Sequence, residues 1–249
     1  MRTADPNREI LGRAVEQLGD LAGELVFVGG CATGLLITDP AAAPIRATRD
    51  VDTIVEAASL AEYHRLAPRL RAHGFSEDTA EDAPVCRWRA PGVLLDVMPT
   101  RSEIIGFANR WYPDALRHAQ TVSLPLQAGV RTIRLITAPY FLATKSEAFA
   151  DRGRGDYFGS HDLEDLVAVM DGRPEWVDEV RASDAALRNY LAARFEAWLT
   201  DTTFLDALAG HLLEEAGSQV RVARLTAQLR ALAAATRDGL NYSQTKETP

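Results

Sequence analysis

Two carboxylates one residue apart, Asp50 and Asp52, and a third, Asp96, are the residues of this chain best suited to chemistry. Side chains alternate between the faces of a strand, so Asp50 and Asp52 are expected to project together while Val51 enters the core. Carboxylates held side by side repel each other unless a cation lies between them. A hard divalent ion, bound by one or two carboxylates and by substrate phosphates, answers that need, and Mg²⁺ is the expected cofactor. Asp96 lies in Val93-Leu94-Leu95-Asp96-Val97-Met98, an otherwise apolar run. A lone buried acid there would be costly, which argues that the three acids meet. Upstream, Gly29 and Gly30 close the apolar run 25–28 and lead into Ala32-Thr33-Gly34-Leu35-Leu36. The plain alternative is an Asp pair at a solvated strand edge.

The elements that must position these residues follow from hydrophobic periodicity. Ile10, Val15, Leu18 and Leu21 recur at helical spacing over 7–22. A strand at 25–28, a helix at 31–37, a loop at 38–49 and a strand at 50–56 follow, then a helix at 59–73 with Ser59 as its N-cap. Residues 85–89 alternate, Pro91-Gly92 turns the chain, 93–98 returns as a strand, and 130–136 is a further strand. From Pro139 the pattern is helical: 139–151, 160–171, 174–181, 184–199, 202–216 and 219–236. The expectation is an α+β fold: a mixed sheet with flanking helices over 1–138, then a helical domain over 139–240 that contributes to the site.

A second constellation lies at the start of the helical part. Lys145 has apolar or small neighbours, and 16 residues on begins His161-Asp162-Leu163-Glu164-Asp165-Leu166. On a helix Asp162 and Asp165 share one face, opposite Leu163, Leu166, Val167 and Met170. The plain reading is a helix capped by Ser160, with early acids favoured by its positive end.

The strand, Gly-Gly turn, Asp-x-Asp strand and later third Asp, taken in order, resemble the nucleotidyltransferase superfamily with the DNA polymerase β-like fold. Arg46-Ala47-Thr48-Arg49-Asp50-Val51-Asp52 is similar to its Arg-x-Ser/Thr-x-Asp-x-Asp pattern. Lys145 followed by Asp-Leu-x-Asp-Leu resembles the AbiEii/MenT branch, toxins of toxin–antitoxin systems; His161 stands where that branch has a lysine. The resemblance covers roughly residues 25–171. It implies a Mg²⁺-dependent transfer of a nucleotide from a nucleoside triphosphate to RNA, with the tRNA 3′ end as acceptor and a cognate antitoxin as partner. It implies metal on Asp50, Asp52 and Asp96, and phosphate contacts from Gly29, Gly30, Arg46, Thr48 and Lys145. Asp162 would complete the catalytic set, with Asp165 the weaker candidate. In some relatives the hydroxyl at the position of Thr48 is where a kinase antitoxin silences the enzyme.

Two rival readings stay open. Aminoglycoside and lincosamide nucleotidyltransferases also carry a Gly-Gly turn and Asp-x-Asp, and their cationic acceptors would suit the net charge of −8. A degenerate fold serving only to bind is the other; three intact acids oppose it. The charge argues against a broad basic nucleic-acid face, though not against a local patch. The apolar fraction of 47% and the charged fraction of 25% suit a globular chain without a membrane span, expected in the cytoplasm. Cys31 and Cys86 imply no disulfide framework, and Cys31 suits a small buried position. Arg87 and Arg89 alternate opposite Cys86 and Trp88 and read as a solvated strand face, with a substrate groove as the alternative. Arg221, Arg224, Arg230 and Arg237 read as solvated charges.

Overall fold

A computed structural model describes residues 5–127, 129–212 and 218–244 of the 249. The chain divides into two compact units. The first comprises Met1–Leu36 and Pro44–Thr144; the second comprises Ile37–Ala43 and Lys145–Pro249.

The first unit is built on a seven-stranded mixed sheet. Helix α1 (Arg8–Leu18) buries the expected Val15 and Leu18 together with Leu11 and Ala14, while Ile10 is half-buried, and it runs into a 3₁₀ turn at Gly19–Gly23 that buries Leu21. Strand β1 (Val26–Val28) is buried along its whole length, which explains its unbroken apolar sequence. Helix α2 (Gly29–Leu36) starts at once on the glycine pair, and β2 (Val51–Val55) follows the long loop. The helix expected at 59–73 is two helices, α3 (Leu60–His64) and α4 (Leu66–Ala72). Pro68 supplies the reason: it lacks the N–H needed to continue a helix but is tolerated in a first turn. Ser59 caps α3 as expected, its Oγ accepting from the Glu62 N–H at 3.2 Å.

Strands β3 (Ser76–Glu77), β4 (Arg87–Ala90) and β5 (Val93–Pro99) come next. Short helices α5 (Ser102–Ile105) and α6 (Tyr112–Arg117) precede the hairpin β6 (Gln120–Leu126) and β7 (Gly129–Leu135). The sheet order is β3-β4-β5-β2-β1-β7-β6. The outermost strand β6 escapes sequence reading because it is an edge strand carrying Pro125, with Leu124 its one buried residue. Leu25, Phe27, Ile54, Leu70 and Leu95 are at most 2% exposed and form the core. Each such side chain contributes roughly 1.5–3 kcal/mol by leaving water.

The division between the units falls inside helix α7 (Ala138–Arg152), six residues beyond the expected boundary at 138. The second unit continues with α8 (His161–Gly172), α9 (Trp176–Ala182), α10 (Ala185–Leu199), α11 (Thr202–His211) and α12 (Ser218–Gln244). The helix expected at 202–216 thus ends at His211, and the remainder of that expectation reaches residues outside those described. Trp176, Phe195 and Phe204 are fully buried, and Phe195, Trp198 and Phe204 pack ring on ring at centroid separations of 5.3 to 5.8 Å. Asp171, 5% exposed, accepts from Arg221 and from Arg224 Nη2 at 2.7 Å. These two arginines therefore neutralise a buried carboxylate; Arg224 stays exposed as expected, while Arg221 is half-buried.

The segment 37–43, expected as the end of a helix at 37 and loop from 38, is part of this second unit. The N–H groups of Thr38 and Asp39 donate to the Gly172 carbonyl at 3.0 and 2.9 Å. Gly172 leaves no space for a side chain: a Cβ there would lie 2.8 Å from Ile37 Cγ2 and 2.9 Å from Ala42 Cβ. Among the described residues no helix is long and apolar enough to cross a membrane.

Candidate active site

The acids of the first unit stand in one row across the sheet. The strand register pairs Val28 with Asp52, Asp52 with Asp96, and Asp96 with Arg87. Directly opposed residues of neighbouring strands share a face, so Asp52, Asp96 and Arg87 emerge side by side. Asp50 differs from its expected place: β2 begins at Val51, and Asp50 is the last residue of the preceding loop. Thr48 lies in that loop as well, and its hydroxyl donates to Asp50 Oδ1 at 2.9 Å.

Arg87 corrects the solvated-face reading. Its Nε donates to Asp96 Oδ1 and its Nη2 to Asp96 Oδ2, both at 2.7 Å; Nη2 also reaches Asp50 Oδ2 at 2.7 Å. The pair with Asp96 is a two-point fork, the strong form of an arginine–carboxylate contact. It answers how Asp96, only 6% exposed, is tolerated in an apolar strand. The Asp96 hydrogen bonds, opposed by burial and reinforced by the charges of Asp96, Asp50 and Asp52, hold the guanidinium firmly protonated. The signal for this was present in the sequence as the parity of Arg87 in its strand. Which neighbouring strand faced that parity was not.

Burial, followed by the charge of Asp96, pushes the Cys86 thiol up to about 12. Cys86 is therefore a poor nucleophile beside this cluster. Cys31 is fully buried, and its Sγ donates to the Val28 carbonyl at 3.2 Å.

The glycine turn is shaped around Asp52. Gly29 has φ +65°, and a Cβ on it would lie 1.9 Å from Asp52 Oδ2 and 2.7 Å from Asp52 Cβ. Only glycine meets both conditions. Gly30 is buried, and its carbonyl accepts from Asn7 Nδ2 at 3.3 Å. The same Asn7 Nδ2 donates to the Arg46 carbonyl at 3.1 Å, and Asn7 Oδ1 accepts from the Thr48 N–H at 2.8 Å. Asn7, 1% exposed, thus ties the glycine turn to the loop that carries Arg46, Thr48 and Asp50. Sequence reading passed over Asn7 as a helix start, since an asparagine before a helix is ordinarily a cap. Here its side chain makes no cap bond. Arg46 itself is half-buried.

The second unit holds the other constellation. Lys145, 6% exposed, donates from Nζ to Asp162 Oδ1 at 3.0 Å and to Asp165 Oδ2 at 2.7 Å. Asp162 and Asp165 do share a helix face, and both are drawn to the lysine. Arg152 forks onto Asp162 through Nε and Nη2, each at 2.8 Å. Burial pushes the Asp162 carboxyl up, but the Arg152 hydrogen bond and the Lys145 and Arg152 charges together outweigh it, and the net shift is downward. Ser160 Oγ accepts from the Leu163 N–H at 3.3 Å, so the expected cap is present too. His161 is exposed, and its Nδ1 lies 3.2 Å from Glu164 Oε2 on the helix surface.

As they stand, Asp50 and Asp96 share one guanidinium from within the chain. Among the described residues no group of three or more His, Cys, Asp or Glu side chains is arranged to hold a metal ion. The donor set is nonetheless of the right kind for one: three carboxylates, hard oxygen ligands, with a guanidinium already standing between two of them as a cation.

No curated protein matches the chain. A crystal structure from H. pylori, provisionally described as a nucleotidyltransferase, aligns over 96% of this chain and 98% of its own at 11% identity, with a TM-score of 0.45. The profile of the AbiEii nucleotidyltransferase toxins of type IV toxin–antitoxin systems matches residues 13–247, and the chain belongs to that family.

Proposed function

We propose that this nucleotidyltransferase is a Mg²⁺-dependent toxin that transfers a nucleotide from a nucleoside triphosphate to RNA, with the tRNA 3′ end as acceptor. The row Asp52–Asp96–Arg87, closed by Asp50, is the observation that carries the reading. Asp50 and Asp52 would hold metal on the triphosphate; Asp96 would hold metal near the acceptor hydroxyl or take its proton. When bound, divalent ions stabilise the attacking and leaving oxygens of an in-line displacement. The chain's own residues then do the positioning. Gly29 and Gly30 bring backbone N–H groups close to the phosphates, with no side chain in the way. Arg46 and Thr48, fixed by the Asn7 hydrogen bonds to their backbone, lie in the loop that ends at Asp50. Lys145 would serve toward phosphate, with Asp162 holding its orientation. A cognate antitoxin is the partner, and the cytoplasm, where tRNA is found, the site of action.

The test is transfer itself. Protein, Mg²⁺ and each labelled nucleoside triphosphate are incubated with total tRNA and, separately, with a panel of aminoglycosides. Label on tRNA, lost in Asp52→Ala at unchanged thermal stability, is the expected result. Label on a drug with none on tRNA transfers the assignment to a small-molecule transferase, which the net charge of −8 would suit.

A further inference from the structure

We propose that Arg87 exchanges partners during each cycle: its guanidinium neutralises Asp50 and Asp96 before nucleotide binds, and turns to the triphosphate when a divalent cation takes the acids. The proposal rests on the metal reading of the same carboxylates.

Three observations carry it. First, the guanidinium and a metal ion would compete for the same oxygens, because Arg87 reaches both carboxyl oxygens of Asp96 and one of Asp50 at 2.7 Å. Second, the backbone of Arg87 has nowhere to withdraw. It lies on β4, opposite Asp96 in the register, and its carbonyl accepts from the Asp78 N–H at 3.0 Å. Only the side chain can swing, so a displaced guanidinium stays within an arm's length of the acids. Third, the exposures are graded: the Asp96 side chain is 8% exposed, Arg87 19% and Asp50 29%. The acid is fixed in the sheet while the arginine reaches its solvent side.

Charge then decides where the guanidinium goes. Asp50, Asp52, Asp96 and Arg87 together carry −2, and one divalent ion brings this to zero. A guanidinium displaced by that ion faces a second cation and needs a new anion. The triphosphate supplies it in the form that a planar five-donor group binds best. Cation alone must work against Arg87, whereas cation and nucleotide together offer it a partner. The two are therefore expected to bind cooperatively, each raising the affinity of the other by the same factor.

Arg87→Met and Arg87→Lys test this by calorimetry with Mn²⁺ alone, and with each of four non-hydrolysable nucleoside triphosphate analogues plus Mg²⁺. Arg87→Met should bind Mn²⁺ alone about tenfold tighter and the best analogue about tenfold weaker, the worth of one charged hydrogen-bonded contact. Arg87→Lys, which keeps the charge but loses the fork, should fall between wild type and Arg87→Met on both axes. Opposite signs are the signature, since a merely structural arginine would not move the two affinities apart. If Arg87→Met leaves both affinities unchanged, or shifts both the same way, with an unaltered circular dichroism spectrum, partner exchange is wrong. Should Arg87→Met fail to fold, Arg87→Lys carries the same test. If wild type binds the analogues no better with Mg²⁺ than without, the metal reading fails and takes the exchange with it.

Discussion

Replacing Gly29 by alanine probes how tightly the acid row is held. A Cβ at this position would lie 1.9 Å from Asp52 Oδ2, 2.6 Å from its Cγ and 2.7 Å from its Cβ. Contacts under 3.0 Å do not persist, so the carboxylate must retreat by about 1.1 Å, the difference between 3.0 and 1.9. Rotating Asp52 does not suffice, because its Cβ is fixed by the backbone of β2 and is itself too close. Strand or turn must move. The positive φ of +65° adds roughly 1–2 kcal/mol for any residue with a Cβ. Gly106 is the matched control: its φ is +88°, yet no heavy atom lies within 4 Å of its would-be Cβ. Gly106→Ala should therefore lose about 1–2 kcal/mol in urea unfolding with transfer intact. Gly29→Ala should lose more, and its transfer of labelled nucleotide should fall about 100-fold, the usual cost of a displacement near 1 Å at a reacting centre. Transfer by folded Gly29→Ala equal to that of Gly106→Ala would refute the claim that this glycine sets the position of Asp52.

Other outcomes follow from the buried polar groups. Lys145→Met removes the ammonium from two buried acids and should cost about 3–5 kcal/mol by urea unfolding, with part regained by adding Asp165→Asn. Asn7→Ala leaves the Gly30 and Arg46 carbonyls and the Thr48 N–H without its side chain; a loss of about 1–3 kcal/mol is expected, together with weaker nucleotide binding by calorimetry. The Asp162 carboxyl lies below its ordinary value of 3.8 in the folded chain, so its contribution is fully present above that pH and is lost as pH falls through the folded value. Unfolding free energy measured from pH 6 downward should therefore drop below about pH 4 in wild type, and less steeply in Asp162→Asn.

Much of the acid site could be read from the sequence because its parts are local. Asp52, the glycine pair and the Ser160 cap each depend on residues close in the chain, and period and turn chemistry locate them, whereas Asp50 falls just outside the strand expected to carry it. Family resemblance named Lys145 for phosphate and Asp162 as a supporting acid; the ion pair between them is a contact that it did not give. The roles of Arg87 and Asn7 were missed for one physical reason: each depends on a partner chosen by tertiary contact. Arg87 finds Asp96 across a strand pairing, and Asn7 finds the Thr48 N–H 41 residues away. The edge strand β6 was hidden because little of it is buried, and burial is what patterning detects. The break between α3 and α4 was legible in Pro68 and was overlooked, since the apolar spacing runs through it.

The strap at residues 37–43 has a consequence for how the protein is made. Its hydrogen-bond acceptor, the Gly172 carbonyl, lies 133 residues beyond Asp39 in the chain. At synthesis rates of about 5–20 residues per second, the strap leaves the ribosome on the order of ten seconds before its partner exists. The first unit must form around a stretch still waiting, and closing so long a loop is slow. No single cut yields both units whole: a fragment starting at Lys145 lacks the strap, and one ending at Thr144 carries it without Gly172. On the proposed function, a chain whose second unit cannot be completed until most of its residues have emerged acquires activity only late in its synthesis. That interval is one in which a partner already present can meet it.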